Sequence, residues 1–325
     1  MANLRASFLY LLAGTMVPAA ASAVSSAELY TATAYTYGRF EARMRYAAGD
    51  GVVSSFFLWK DGSERPGMFW NELDFEKLGA DCHLETNAFY GNPAVVHSRR
   101  EPAAPDGCAA FHTYAYEWTP EYIAWLVDGV EIRRESGAAA AAYAENAAAG
   151  MQIRFNVWPG DATFGGNFSP SILPVHQYVD WVQYSSYADG AFALEWREDF
   201  DSGALPAGWL TGSWASPKNK SIHNAGNVNV LDGYLVLSLT ADDAIGPSGA
   251  MPEAPSGTAG SPGAAGAAGA PPSSTAGDDG GCSVAAARSG RSGALYSALL
   301  LGALAVLGRR RRSPHRRSLA GAASS

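Results

Sequence analysis

Asn71-Glu72-Leu73-Asp74-Phe75-Glu76 places three carboxylates in alternation with two apolar side chains. Successive side chains of a β-strand point to opposite faces, so Glu72, Asp74 and Glu76 share one side while Phe69, Leu73 and Phe75 share the other. Trp70 continues the acidic face, where a solvated strand would more often carry Lys, Thr or Ser. Like charges on neighbouring same-face positions repel, and an uncompensated repulsion points to a chemical task rather than to a merely solvated surface.

Carboxylates so arranged suit glycoside cleavage. A separation of about 5–5.5 Å supports a retaining pair, one nucleophile and one acid/base, and about 6.5–9.5 Å leaves room for an inverting water. The Cα atoms of Glu72 and Glu76 lie roughly 13 Å apart in a straight strand, so a retaining pair requires the side chains to lean together over Asp74. Mutual repulsion raises the proton affinity of one member, as a general acid requires. The spacing does not say which glutamate is which.

Further strands surround this one. Phe40, Ala42, Met44 and Tyr46 alternate with Arg39, Glu41, Arg43 and Arg45. The runs 111–118 and 122–127 flank a turn at Thr119-Pro120, and Asp128-Gly129 is a tight-turn signal before Val130 and Ile132. Residues 179–184 and 234–239 add two more strands. In 151–158, Met151, Ile153, Phe155 and Val157 face one way, while Gln152, Arg154, Asn156 and Trp158 form a second face suited to sugar: an aromatic to stack and polar groups for hydroxyls. The Ala-rich stretch 137–150 has helix propensity without an amphipathic stripe and reads as an inserted loop or short helix. Many short strands without interleaved helices predict an all-β fold, a curved antiparallel β-sandwich of jelly-roll type.

The chain ends are of different character. Residues 1–23 read as a secretory signal peptide, with Arg5, an apolar stretch from Phe8 to Val17 and a small-residue site at Ala21-Ser22-Ala23. The catalytic domain is expected over 24–243. Residues 244–281 form a Pro/Gly/Ala/Ser-rich linker too poor in large apolar groups to pack a core. Within 282–325, Cys282, the apolar run 294–307 and the arginines at 309–312, 316 and 317 resemble the MYXO-CTERM class of bacterial C-terminal sorting signals. That resemblance implies display on the cell surface through sorting machinery; a weak membrane anchor is the alternative, and both place the domain outside the cytoplasm.

With 14 Lys and Arg against 28 Asp and Glu, residues 24–243 carry a formal charge of −14. Such a surface repels phosphates, which argues against nucleic acid and accommodates a neutral polysaccharide. Cys82 and Cys108 are the only cysteines of the domain and, in an oxidising compartment, read as a disulfide. No Cys/His group has zinc-ligand spacing. We expect a monomer.

Glu72-Leu73-Asp74-Phe75-Glu76-Lys77-Leu78-Gly79 resembles the Glu-x-Asp-x-Glu-x-Leu-Gly signature of glycoside hydrolase family 16, in the unbulged form of lichenases. The resemblance extends through 37–44, 53–57, 111–118, 127–129 and 154–158, and covers residues 27–240. Segments 195–201, 227–230 and 232–240 look like the part that opens the domain in ordinary lichenases. Here they close it, as in circularly permuted lichenases, an order that neighbouring surface termini tolerate.

The resemblance implies a retaining endo-β-glucanase acting on 1,3-1,4-β-glucan, with Glu72 the nucleophile, Glu76 the acid/base and Asp74 their tuning neighbour. It implies cleft roles for Phe56, Trp70, Asn87, Arg154, Asn156, Trp158 and Trp214. No cofactor is required for the chemistry, and a structural calcium is implied at Asp180, Asp199 and the Gly233 carbonyl. Glu85 stands where lichenases usually carry Gln, and Trp59 and Asp61 replace a Tyr and an Asn of the cleft; an ionised carboxylate accepts hydrogen bonds but cannot donate them. The competing readings are transglycosylation or hydrolysis of another β-glucan, such as xyloglucan or laminarin, and a surface-displayed non-catalytic glycan-binding module.

Overall fold

The computed structural model describes residues 24–103 and 107–252. The expected leader, most of the linker and the sorting segment lie outside the described residues. Among the described residues, no helix is long and apolar enough to cross a membrane.

The described residues form sixteen strands, beginning with β1 (Val24–Thr31), β2 (Gly38–Arg45), β3 (Val52–Trp59), β4 (Trp70–Leu78), β5 (His83–Gly91), β6 (Val96–Arg100), β7 (His112–Trp118) and β8 (Tyr122–Val127). They continue with β9 (Val130–Ser136), β10 (Gln152–Pro159), β11 (Val175–Ala188), β12 (Ala191–Glu198), β13 (Trp209–Thr211), β14 (Ile222–His223), β15 (Val228–Leu231) and β16 (Tyr234–Ala241). A short helix, α1 (Ala138–Glu145), lies between β9 and β10.

The hydrogen-bonded order is β6-β5-β4-β3-β10-β1-β16-β11-β2-β7-β8-β9. Its first half forms one layer of a sandwich and its second half the other, linked where Val24 and Ser25 pair with Ala241 and Thr240. The predicted all-β sandwich is therefore the fold. Alternation decides which side chains fill it: Phe40, Ala42 and Met44 from β2 and Ile153, Phe155 and Val157 from β10 are all fully buried. At about 1.5–3 kcal/mol for each large apolar side chain, this shared layer dominates the stabilisation.

Polar tips of the core aromatics tie the layers together. Tyr116 Oη donates to the Phe56 carbonyl at 2.6 Å, and Trp125 Nε1 donates to the Asp74 carbonyl at 3.1 Å. The Asp128-Gly129 turn has both residues at positive φ, 49° and 78°, as a two-residue hairpin between β8 and β9 requires. Cys82 and Cys108 are joined as a disulfide.

The Ala-rich segment does more than bridge two strands. Tyr143 of α1 is fully buried, with its hydroxyl 2.6 Å from the Glu72 carbonyl oxygen and 2.9 Å from that of Phe89. A single aromatic side chain thus props β4 and β5 from the core side.

Candidate active site

Directly opposed residues of antiparallel strands share a face, so the register lays out the cleft floor in rows. Gln152, Trp59, Glu72, Phe89 and His97 form one row across β10, β3, β4, β5 and β6. Tyr30, Arg154, Phe57, Asp74, Asn87 and Arg99 form the next, starting from β1. Glu28, Asn156, Ser55, Glu76 and Glu85 form the third.

The flanks are electrically balanced. Arg154 Nη1 donates to Glu28 Oε1 at 2.8 Å, while its Nε and Nη2 reach Gln152 Oε1. The same guanidinium lies over Tyr30, 4.6 Å from the ring centroid, with Trp59 and Trp214 close to 6 Å away. His223 Nε2 sits 3.3 Å from Glu28 Oε2; burial pushes this imidazole down to about 4, so it is neutral. On the opposite flank Arg99 grips Glu85 with two nitrogens, Nε to Oε2 at 2.5 Å and Nη2 to Oε1, and also reaches Glu101 at 2.7 Å.

The centre has no such counter-ion. Trp70 Nε1 donates to Glu72 Oε2 at 2.7 Å, and Asn87 Nδ2 donates to Glu76 Oε2 at 2.8 Å. Asp74 lies between them, 4 % exposed. Burial raises all three carboxyls: Glu72 to about 7, Glu76 to about 8, and Asp74 well above its ordinary range, with the two glutamates adding repulsion. Hydrogen bonds from Trp70 and Asp74 and the charge of Arg154 offset the push on Glu72. On Glu76 the offset comes from Asn87 and Arg99, against repulsion from Glu72 and Glu85. Trp70 and Asn87 thus favour the ionised forms of Glu72 and Glu76 respectively, Glu28 repels the first and Glu85 the second, and burial together with both glutamates pushes Asp74 toward its protonated form.

Most of the expected cleft residues come together. Trp59, Asn87, Arg154 and Asn156 lie in the three rows with the carboxylates, and Trp70 stands edge-on to Trp59 with ring centroids 5.5 Å apart. Trp158 shares the face one row further on, where it is 3 % exposed and stacked with Phe164. Trp214 is 42 % exposed beside Tyr30.

Two expectations are corrected. Phe56 is not a cleft residue: it opposes Phe75 and Phe155 and is fully buried among core aromatics, because alternation along β3 turns Phe57 to the cleft instead. Glu85 is on the cleft face but 1 % exposed, with both oxygens held by Arg99, so the half-exposed guanidinium is what it presents. Asp61 is exposed and pairs loosely with Arg65 at 3.6 Å. Glu28, Phe57, His97 and Arg99 were missed. Period-two reading of β1 and β3 marks the first two, whereas the others need the β5–β6 register.

The residues implied for calcium lie outside the cleft rows. Asp180 is the bulged residue of β11 against β2, and its Oδ2 accepts from Arg43 Nη1 at 2.5 Å. Asp199 pairs with Arg197 at 2.6 Å, and the Gly233 turn lies close to the Asp201 carboxylate. Among the described residues, no group of three or more His, Cys, Asp or Glu side chains is gathered as for a metal. An oxygen-only donor set does match a hard cation.

The family model for glycosyl hydrolases family 16 matches residues 12–183. The chain is similar to the β-glucanase of Fibrobacter succinogenes, 36 % identical over 239 residues that cover 70 % of this chain and 67 % of that protein. It is 34 % identical over 152 residues to the β-glucanase of Bacillus amyloliquefaciens, covering 46 % of this chain and 59 % of that one. Among solved structures, Bacillus licheniformis β-glucanase aligns with a TM-score of 0.41 and 24 % identity over 50 % of this chain and 78 % of that one.

Proposed function

Because this chain belongs to glycosyl hydrolases family 16 and is a glycan-acting enzyme of the hydrolase or transglycosylase kind, we propose that it is a retaining endo-β-glucanase cleaving 1,4-β linkages in mixed-linkage 1,3-1,4-β-glucan. The observation that carries this reading is the row of three carboxyls on one face of β4, with Trp70 donating to Glu72 and Asn87 donating to Glu76. Glu72 is assigned as the nucleophile and Glu76 as the acid/base.

In the first step Glu72 forms a bond to the anomeric carbon while Glu76 protonates the departing glycosidic oxygen. In the second, Glu76 takes a proton from water, which displaces Glu72. Asp74, protonated beside Glu72, steadies the charge that returns to the nucleophile. Trp59, Trp70, Phe57 and Trp214 supply flat faces for glucosyl rings, and Asn156 and Arg99 supply donors.

The wider organisation belongs to the same proposal. Residues 1–23 are a leader, 24–243 the catalytic domain, 244–281 a stalk and 282–325 a sorting segment for surface display; the compositions described above support this division. The segment order is circularly permuted: β16 lies mid-sheet although it falls beyond the family match, and the Fibrobacter relative aligns over 239 residues where the Bacillus one aligns over 152. We propose a structural calcium at Asp180, Asp199 and the Gly233 carbonyl.

The test is NMR of the earliest products from barley β-glucan, with laminarin and xyloglucan in parallel and Glu72→Gln as control. Selective release of β-anomers, lost in the variant, is the expected result. Equal turnover by Glu72→Gln, or initial α-anomers, would overturn the mechanism. Products extended onto an added acceptor would replace hydrolysis with transfer.

A further inference from the structure

One side chain on the edge strand of the cleft is coupled to Glu76 without touching it. Asn87 Nδ2 donates to Glu76 Oε2 at 2.8 Å, and Oδ1 of the same amide lies 2.8 Å from His97 Nε2. Asn87 is 2 % exposed, so neither end of its amide has bulk water as an easy substitute partner. A primary amide has one accepting and one donating end, exchanged by a half-turn of the side chain. His97 Nε2 meets Oδ1 favourably only when it carries hydrogen, and that contact fixes which end faces Glu76. The ring is itself held flat on Phe89, centroid to centroid 3.9 Å with 12° between planes.

We infer that His97 is a positioning residue: it locks the Asn87 amide with its NH2 toward Glu76 and thereby sets the proton affinity of that carboxyl. The inference rests on the reading of Glu76 as the acid/base. An N–H aimed at a carboxylate favours the ionised form; a flipped amide would aim its oxygen there and favour the protonated form. Other charged or titratable groups act on Glu76 from every side: Glu72 and Asp74 on β4, Glu85 on β5, Arg99 on β6, and the phenols of Tyr46 and Tyr116 from the core. His97 faces Glu85, Arg99 and Arg133. The guanidinium of Arg99 is engaged by Glu85 and Glu101, which leaves the imidazole as the group on the amide oxygen.

The test uses the full chain with His97→Phe, which keeps an aromatic on Phe89 but removes the donor, and His97→Gln, which restores one. The Glu76 carboxyl is titrated by 13C NMR in a Glu72→Gln background, and kcat/KM on barley β-glucan is profiled against pH with Glu72 intact. Expected is a rise of about one unit in the Glu76 midpoint for His97→Phe, reversed in His97→Gln, with the alkaline limb of the rate profile moving alike. An unmoved Glu76 titration in His97→Phe and in a second variant, His97→Ala, overturns the inference whatever the rates do. A titration that moves while the alkaline limb stays keeps the positioning role and removes Glu76 from the acid role.

Discussion

The indole N–H of Trp70 donates to Glu72 Oε2 at 2.7 Å from two residues away on the same strand face. A hydrogen bond to a charged group contributes about 1.5–3 kcal/mol, and this one favours the ionised form of Glu72. Replacing Trp70 by Phe keeps a ring in the cleft and removes the donor. The acid limb of kcat/KM should rise by about one pH unit, and a pH–rate profile on barley β-glucan checks it. A limb that stays put would show that Glu72 does not depend on this bond.

Arg99 holds the buried Glu85 with two nitrogens. Removing one partner of such a pair leaves a buried charge uncompensated, and because Arg99 is half exposed we expect a cost on the order of 2–3 kcal/mol, below the range for fully buried pairs. Arg99→Met should therefore lower Tm by roughly 4–12 °C, with Glu85→Gln added to it restoring most of the loss. Thermal unfolding of the two variants and Glu85→Gln alone completes the cycle; strict additivity would mean the pair is not coupled.

The raised proton affinity of Glu76 has a stability cost with a definite pH signature. Its folded proton affinity is raised to about 8 from an ordinary 4.5, so its contribution to folding is fully favourable below about pH 4.5 and is lost as pH rises through 8. Glu76→Gln cannot ionise. Its Tm advantage over the parent should grow between pH 4.5 and 8 and level off above. A constant difference across that window would contradict the raised affinity.

The calcium proposed at Asp180 would share that carboxylate with Arg43. Chelation should lower Tm, and saturating calcium at about a hundred times its dissociation constant should restore roughly 2.7 kcal/mol. Asp180→Asn should abolish the difference. Identical melting with calcium and with chelator would remove the ion from this fold.

The carboxylate face of β4, the inward faces of β2 and β10 and the Asp128-Gly129 hairpin were legible because each depends on alternation or turn chemistry within one segment. Phe56 was misplaced because two adjacent phenylalanines leave the choice of face to the register with β4. Glu85 was read as a sugar contact because nothing near it in sequence reveals that Arg99 comes opposite through a hairpin. Tyr143 was hidden for another reason: an Ala-rich stretch without a stripe carries no periodic sign that one aromatic reaches two carbonyls beneath the candidate nucleophile. Interactions across separate strands are set by pairing, which local pattern does not encode.

β16 sits between β1 and β11, and pairs with both. Among the described residues the earliest strand to emerge in synthesis therefore waits for the latest before the two layers can join, and the strands made between them collect as two unlinked halves. Such long-range closure is slow, and strand edges that stay open invite pairing with other chains. A chain cut just before Tyr234 would lose the seam of the sandwich rather than a tail, and would meet its neighbours with the edges of β1 and β11 partly uncovered.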